Sequence, residues 1–272
     1  MSSRVGTWEG AVLWLRSQPD QVDLVRACFF DDPLIEAAER YYTSREWGAV
    51  RNLTGRAAGR ALDVGAGRGI SSYALARDGW RVTALEPDPS AVVGAGAIEQ
   101  LAAVSNLPIE VVRDWGETLP FADATFDLVY GRQVLHHARD LRTLCAEMVR
   151  VLKPGGTFLA TREHVIFRDA DLAVFLAEHP LHRLYGGENA YRLGEYKRAI
   201  EEAGVRLTRV LNPWASAINL HPRAAEDIGV LIHERLPFIP PSVFTPTVLR
   251  WMGWLLRSPG TNYSFFGVRE GQ

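Results

Sequence analysis

Leu62-Asp63-Val64-Gly65-Ala66-Gly67-Arg68-Gly69 joins an apolar run that reads as a strand to a stretch that reads as a helix. Glycines at such a junction let the backbone pass close to a ligand while the helix N-terminus faces it. The spacing is GxGxG, and Ile70 stands where a nicotinamide fingerprint, GxGxxG, would place its third glycine. Glu86 lies seventeen residues beyond Gly69, at the end of a second apolar run, and is followed by Pro87. An acidic residue there can accept hydrogen bonds from both hydroxyls of a ribose, because ligands of open α/β sheets bind outside the carboxyl ends of the strands. The two features suggest an adenosine-type ligand. Two further pairs, His136-His137 and Glu163-His164, sit where strands end and could move a proton, since imidazole titrates near neutrality.

The elements that must position these residues alternate in type. Ala61–Val64, Arg81–Leu85, Ile109–Val112, Phe126–Tyr130 and Thr157–Thr161 read as short buried strands. The stretch up to Gly79, the stretch through Ile98 to Ala103, and Val134 to Leu152 read as the intervening helices. Strands alternating with helices imply crossovers and a parallel sheet covered on both faces. Further on, Glu195 to Ala203 reads as a helix stopped by Gly204, Val205 to Leu211 as a strand, and Asn262 to Val268 as a last strand. Thr247 to Arg257 predicts a helix whose stripe of Val248, Trp251, Met252, Leu255 and Leu256 faces a core, with Trp254 beside it. PFIPPSVF precedes that helix and leaves room for contact with a lipid interface or lipid-like substrate.

Composition bounds the rest. The 272 residues are 47% hydrophobic and 23% charged, ordinary for a globular protein and unlike a disordered or coiled-coil chain. Thirty Lys and Arg against 32 Asp and Glu leave a net charge of −2, which argues against nucleic acid as a partner. Cys28 and Cys145 are isolated and support neither a disulfide framework nor a zinc site. The N-terminal segment lacks the apolar core of a signal peptide, and no run is long enough to span a bilayer, so a cytoplasmic location is expected.

LDVGAGRG (62–69), ALEPD (84–88), LPFADATFDLV (119–129), VLHH (134–137) and LKPGG (152–156) occur in this order over about a hundred residues. In this the chain resembles the class I S-adenosylmethionine-dependent methyltransferases, in particular the type 11-like group, over roughly residues 45–211. The resemblance implies a Rossmann-like three-layer αβα sandwich with a seven-stranded, mostly parallel sheet whose last strand is antiparallel. It also implies S-adenosyl-L-methionine as cofactor and S-adenosyl-L-homocysteine as product. Gly65, Ala66, Gly67 and Gly69 would line the methionine and ribose side, with Asp63 near the amino-acid end. Glu86, beside Pro87, would hold the ribose hydroxyls. Asp114 would meet the adenine amino group with Trp115 beside the ring, although Asp114 lies one residue further from Leu119 than is usual. Gly131 and Arg132 would sit near the sulfonium.

Methyl transfer asks for alignment and, for a hydroxyl acceptor, removal of its proton. His136, His137, Glu163 and His164 are the candidate bases. No metal site is assigned, because Glu163 with Asp169 or Asp171 is too sparse a ligand set. His182, Tyr185 and Glu188, in HPLHRLYGGENAY, lie in a loop-like stretch that could face substrate or be an exposed turn at Gly186-Gly187. Residues 1–55 are aromatic and helical in pattern and are expected to form a cap or lid on a domain spanning 56–272, which carries a substrate-side insertion at about 212–260. The expected acceptor is a small-molecule or sugar hydroxyl of a biosynthetic pathway. The alternatives are an amine or quinone-like acceptor methylated on nitrogen or carbon, and a module that binds the cofactor without transferring its methyl group.

Overall fold

A computed structural model describes residues 6–55 and 59–271. Four helices come first: α1 (Trp8–Arg16), α2 (Val22–Ala27), α3 (Leu34–Tyr42) and α4 (Arg45–Thr54). Side chains set two of their starts, since Thr7 accepts from the Gly10 N–H at 3.0 Å and Ser44 from the Trp47 N–H at 3.1 Å. The alternating core follows as β1 (Arg60–Val64), α5 (Ile70–Arg77), β2 (Arg81–Leu85), α6 (Ala95–Ser105), β3 (Ile109–Val112), β4 (Phe126–Arg132), α7 (Leu141–Arg150) and β5 (Leu152–Ile166). Helices α8 (Ala170–Glu178) and α9 (Pro180–Leu184) lead to a two-residue strand β6 (Tyr191–Arg192), then α10 (Leu193–Glu202) and β7 (Val205–Leu211). The chain closes with α11 (Ala217–Leu220), α12 (Ala225–Arg235), α13 (Pro246–Gly253) and β8 (Thr261–Arg269).

The sheet runs β3-β2-β1-β4-β5-β8-β7, with β6 paired to the end of β5 off this path. Strands β1 to β5 pair in parallel, and β8 is antiparallel to both of its neighbours. This is the Rossmann-like αβα sandwich that the motifs imply, and Asn262 to Val268 falls within the antiparallel strand. Adjacent residues of the central strands feed opposite layers, so both faces are apolar. Leu128, Tyr130 and Leu159 pack with Tyr41, Trp47 and Leu75 of α3, α4 and α5. Val129 and Phe158 pack with Leu144 and Met148 of α7 and with Tyr196 and Ile200 of α10. Helices α3 and α4 thus share a core with the sheet. The boundary expected between residues 55 and 56 adjoins 56–58, outside the described residues.

Three elements differ from their sequence-based expectation. The helix expected from Val134 to Leu152 begins instead as a 3₁₀ turn, Leu135–His137; Ala138 is extended, and Asp140 starts α7 by accepting from Arg142 and Thr143 N–H. Strand β5 is longer than Thr157–Thr161, and its register breaks between Ala160 and Glu163, where Arg162 has a φ of 61°. Helix α13 stops at Gly253 and buries Leu249 and Gly253; Val248 and Met252 of the expected stripe pack beside them, while Trp251 is 70% and Leu255 80% exposed. Gly253 explains that rotation: a Cβ there would meet Asn212 Oδ1 at 2.2 Å, so this face of the helix abuts the chain after β7.

Candidate active site

One cavity of about 500 Å³ lies outside the carboxyl ends of β1, β2 and β4, the place where a switch-point ligand binds. Asp63, Gly65, Ala66, Gly67 and Arg68 form one wall, with Glu86 and Pro87 beside them. Gly65, Gly67 and Gly69 have φ of 62°, 54° and 82°, the left-handed region that glycine enters without steric cost. A Cβ at Gly65 would strike Val134 at 2.5 Å, whereas one at Gly67 meets nothing within 4 Å because that position opens on the cavity. Gly69 faces Ile98 and is a packing position.

The Glu86 carboxylate accepts the Gly67 N–H at 2.8 Å and the Asp88 N–H at 3.0 Å. Burial pushes its carboxyl up to about 7 against the pull of those two donors. Burial also pushes Asp63 up to about 7, although its carboxylate accepts from Ser72 Oγ at 2.6 Å. Two buried carboxyls therefore share this end of the cavity, where added hydrogen-bond donors or a positive charge would favour their ionised forms. Arg68 is buried and bonds the Phe29 and Asp31 carbonyls, tying the glycine loop to the segment between α2 and α3. Trp8, Leu24, Cys28, Phe29 and Phe30 from the N-terminal helices and their connections close the cavity as an apolar wall.

The remaining cofactor expectations divide. Trp115 lines the cavity at 55% exposure with Arg139 stacked 4.9 Å over its ring. Asp114 does not line it; its Oδ1 accepts the Trp115 N–H. Gly131 is not at the wall either, and its lack of a side chain accommodates Val134, which a Cβ would meet at 2.4 Å. Arg132 does line the cavity, with its guanidinium held by the fully buried Glu46 at 2.8 and 3.2 Å.

At the far end the cavity meets His136, His137, His164, His179 and Glu188. Glu163 lies behind this wall, fully buried; its carboxylate accepts the Val134 and His136 N–H groups and the His136 ring at Nδ1, 2.7 Å away. Glu163 thereby positions the turn after β4, and a base role does not fit a carboxylate so engaged. His136 would be lowered by burial alone, yet Glu163 and Glu188 push it up to about 9. His164 bonds the Gly260 carbonyl through Nδ1 at 2.9 Å, and burial next to His136 holds it down near about 3. His137, 44% exposed, contacts the Gly187 carbonyl through Nδ1 at 3.1 Å, which leaves Nε2 as the nitrogen with a lone pair.

Glu188 was one polar loop residue among several in the sequence, and the fold makes it the hub of this wall. Its side chain is 8% exposed, with His136 Nε2 at 3.6 Å and His137 Nε2 and His179 Nδ1 each at 3.9 Å. These histidines hold its carboxyl down near about 2 despite burial. Tyr185 lines the cavity and packs on Trp8, whereas His182 does not reach the wall. His179 also reaches this wall, although nothing in its local sequence marks it. The sparse acidic set is not assembled: Asp171 caps the Phe167 and Arg168 N–H groups, and Asp169 pairs with Arg192.

Residues 62–160 match the family model described as a methyltransferase domain. A ubiquinone biosynthesis O-methyltransferase of Rhizobium johnstonii is 30% identical over 72% of this chain and 78% of its own. The chain belongs to the S-adenosylmethionine-dependent methyltransferases. The ubiquinone biosynthesis O-methyltransferase of Rhizobium etli is 31% identical over 59% of this methyltransferase and 67% of that protein. Among solved structures, the geranyl diphosphate C-methyltransferase of Streptomyces coelicolor superposes with a TM-score of 0.60, covering 99% of this chain and 87% of that one at 13% identity. Its likeness is one of fold. S-adenosylmethionine is thus the cofactor of this methyltransferase, and the wall suits it: Gly67 opens on the cavity, and the buried carboxyls of Asp63 and Glu86 could accept from hydroxyl and ammonium groups. Among the described residues, no helix is long and apolar enough to cross a membrane.

Proposed function

We propose that this methyltransferase methylates a hydroxyl of a small, largely apolar acceptor, with Glu86, Asp63, Gly65 and Gly67 holding the cofactor. The observation that carries the reading is a single cavity reaching from the glycine loop to the histidine wall. S-adenosylmethionine supplies an activated methyl group, so the protein's own task is alignment and proton removal. His137 takes the second task in this reading, which its Nδ1 contact to Gly187 and its partly exposed ring at the wall support. Trp8, Leu24, Phe29, Phe30 and Tyr185 offer an apolar face to the acceptor and shed water from the reaction. The O-methyltransferase names of the relatives support the same acceptor class.

The test is turnover with methyl-labelled cofactor against phenols, catechols and sugars, run beside amines and carbon nucleophiles, with the methylated atom located by mass spectrometry and NMR. Label on oxygen is the expected result. Label only on nitrogen or carbon, or cofactor binding with no product from any acceptor, overturns the reading.

A further inference from the structure

We infer that His136, His164 and Glu188 form a divalent-cation site at the acceptor end of the cavity. One ring nitrogen from each histidine and one Glu188 oxygen lie within 4.8 Å of one another. The histidines are turned for this purpose from behind. His136 Nδ1 is held by Glu163 at 2.7 Å and His164 Nδ1 by the Gly260 carbonyl at 2.9 Å, so Nε2 is the nitrogen each ring has left for an ion, which on His136 would displace a proton. A carboxylate or carbonyl on the far nitrogen is the outer-shell arrangement that orients metal-bound histidines.

The third ligand supplies an independent sign. Glu188 Oε2 is buried and has no hydrogen-bond partner, in a side chain only 8% exposed. A buried charged oxygen left without a donor is costly and calls for a partner. The nearest nitrogen, His136 Nε2 at 3.6 Å, is too far for a hydrogen bond but near the edge of a coordination polyhedron. Zinc bonds of about 2.0 Å in tetrahedral array put ligand atoms roughly 3.3 Å apart. Ligand atoms already within 4.8 Å of one another need only small side-chain movements to reach that spacing. Sequence spacing hides the set, because the ligands come from the turn after β4, the end of β5 and the loop after α9.

Two imidazoles and one carboxylate suit a borderline ion such as Zn²⁺ rather than Mg²⁺ or Ca²⁺, which take mainly oxygen. Three protein ligands leave a position open, as in catalytic rather than structural zinc sites. All three residues line the cavity, so that position is available to an acceptor oxygen. This last assignment rests on the O-methylation reading; the ion site does not.

The test uses the full chain stripped with chelator, then titrated with Co²⁺ or Zn²⁺ alone. The expected result is one ion per chain, visible Co²⁺ ligand-field absorption, and binding weakened at least ~100-fold in Glu188→Gln and in His164→Asn. Glu163→Gln should weaken it by about 10- to 100-fold through the ring it holds. Cofactor titration of each variant reports that the fold is retained. No saturable Co²⁺ or Zn²⁺ binding by the wild-type chain overturns the site, as does binding that the Glu188 and His164 variants leave unchanged. Ion binding as expected with methyl transfer confined to nitrogen or carbon acceptors supports the site and overturns its oxygen ligand.

Discussion

The Glu86 carboxylate receives the Gly67 N–H at 2.8 Å, so the acidic end of β2 and the glycine loop of β1 are one unit. Replacing Glu86 by Ala would remove the proposed acceptor for the cofactor's hydroxyls and release the loop it holds. We expect S-adenosylmethionine affinity to fall by roughly 1–3 kcal/mol, about 5-fold to 150-fold, in a folded protein. Calorimetric titration measures it, and unchanged affinity would move the ribose elsewhere.

Two glycines of the same loop should fail in different ways. Gly67→Val directs its side chain into the open cavity and should abolish measurable cofactor binding with a normal far-ultraviolet spectrum, aside from a left-handed backbone cost of about 1–2 kcal/mol. Gly65→Ala meets Val134 at 2.5 Å as well as a φ of 62°, and should lower unfolding stability by about 2–4 kcal/mol. Urea denaturation separates the two. Equal stability loss in both would refute the placement of Gly67 on the cavity.

The raised carboxyls of Asp63 and Glu86 make a pH prediction with a definite sign. Their protonated forms are favoured in the cofactor-free fold, so their contribution to its stability is present below the ordinary carboxylate range and is lost as pH rises through about 7. Bound cofactor, with hydroxyl and ammonium donors, favours the ionised forms. Binding should therefore release protons near pH 6–7, and affinity should rise from pH 6 to pH 8. Calorimetry in buffers of different ionisation enthalpy measures the release; affinity that falls over this range contradicts the assignment.

Arg132 and Glu46 lock α4 to the end of β4, with side chains 11% and 0% exposed. Glu46→Ala leaves the Arg132 guanidinium buried without its main partner, and we expect a loss of about 3–5 kcal/mol in thermal or urea unfolding. A loss below 1 kcal/mol would show that Arg132 finds another carboxylate or solvent.

What the sequence determines on its own is local. Strand–glycine loop–helix, the acid at the end of β2 and the ordered motifs from 62 to 156 are spacings along the backbone, and the parallel sheet follows from their alternation. Its errors arise where packing overrides pattern. Of the stripe Val248, Trp251, Met252, Leu255 and Leu256, Val248 and Met252 do pack inward, yet the contact of Gly253 with Asn212 turns the helix so that Leu249 is buried and Trp251 and Leu255 are exposed. Asp114 has the right type, but one residue of spacing takes it off the wall. Glu163 is expected at the end of a strand, but β5 runs on to Ile166, and past the register break at Arg162 its carboxylate lies behind the wall rather than on it. Only the tertiary structure brings Glu188 to His136, fifty-two residues earlier in the chain, at 3.6 Å. That meeting depends on how the loop after α9 folds back across β4 and β5, a long-range arrangement that no periodicity within either segment encodes.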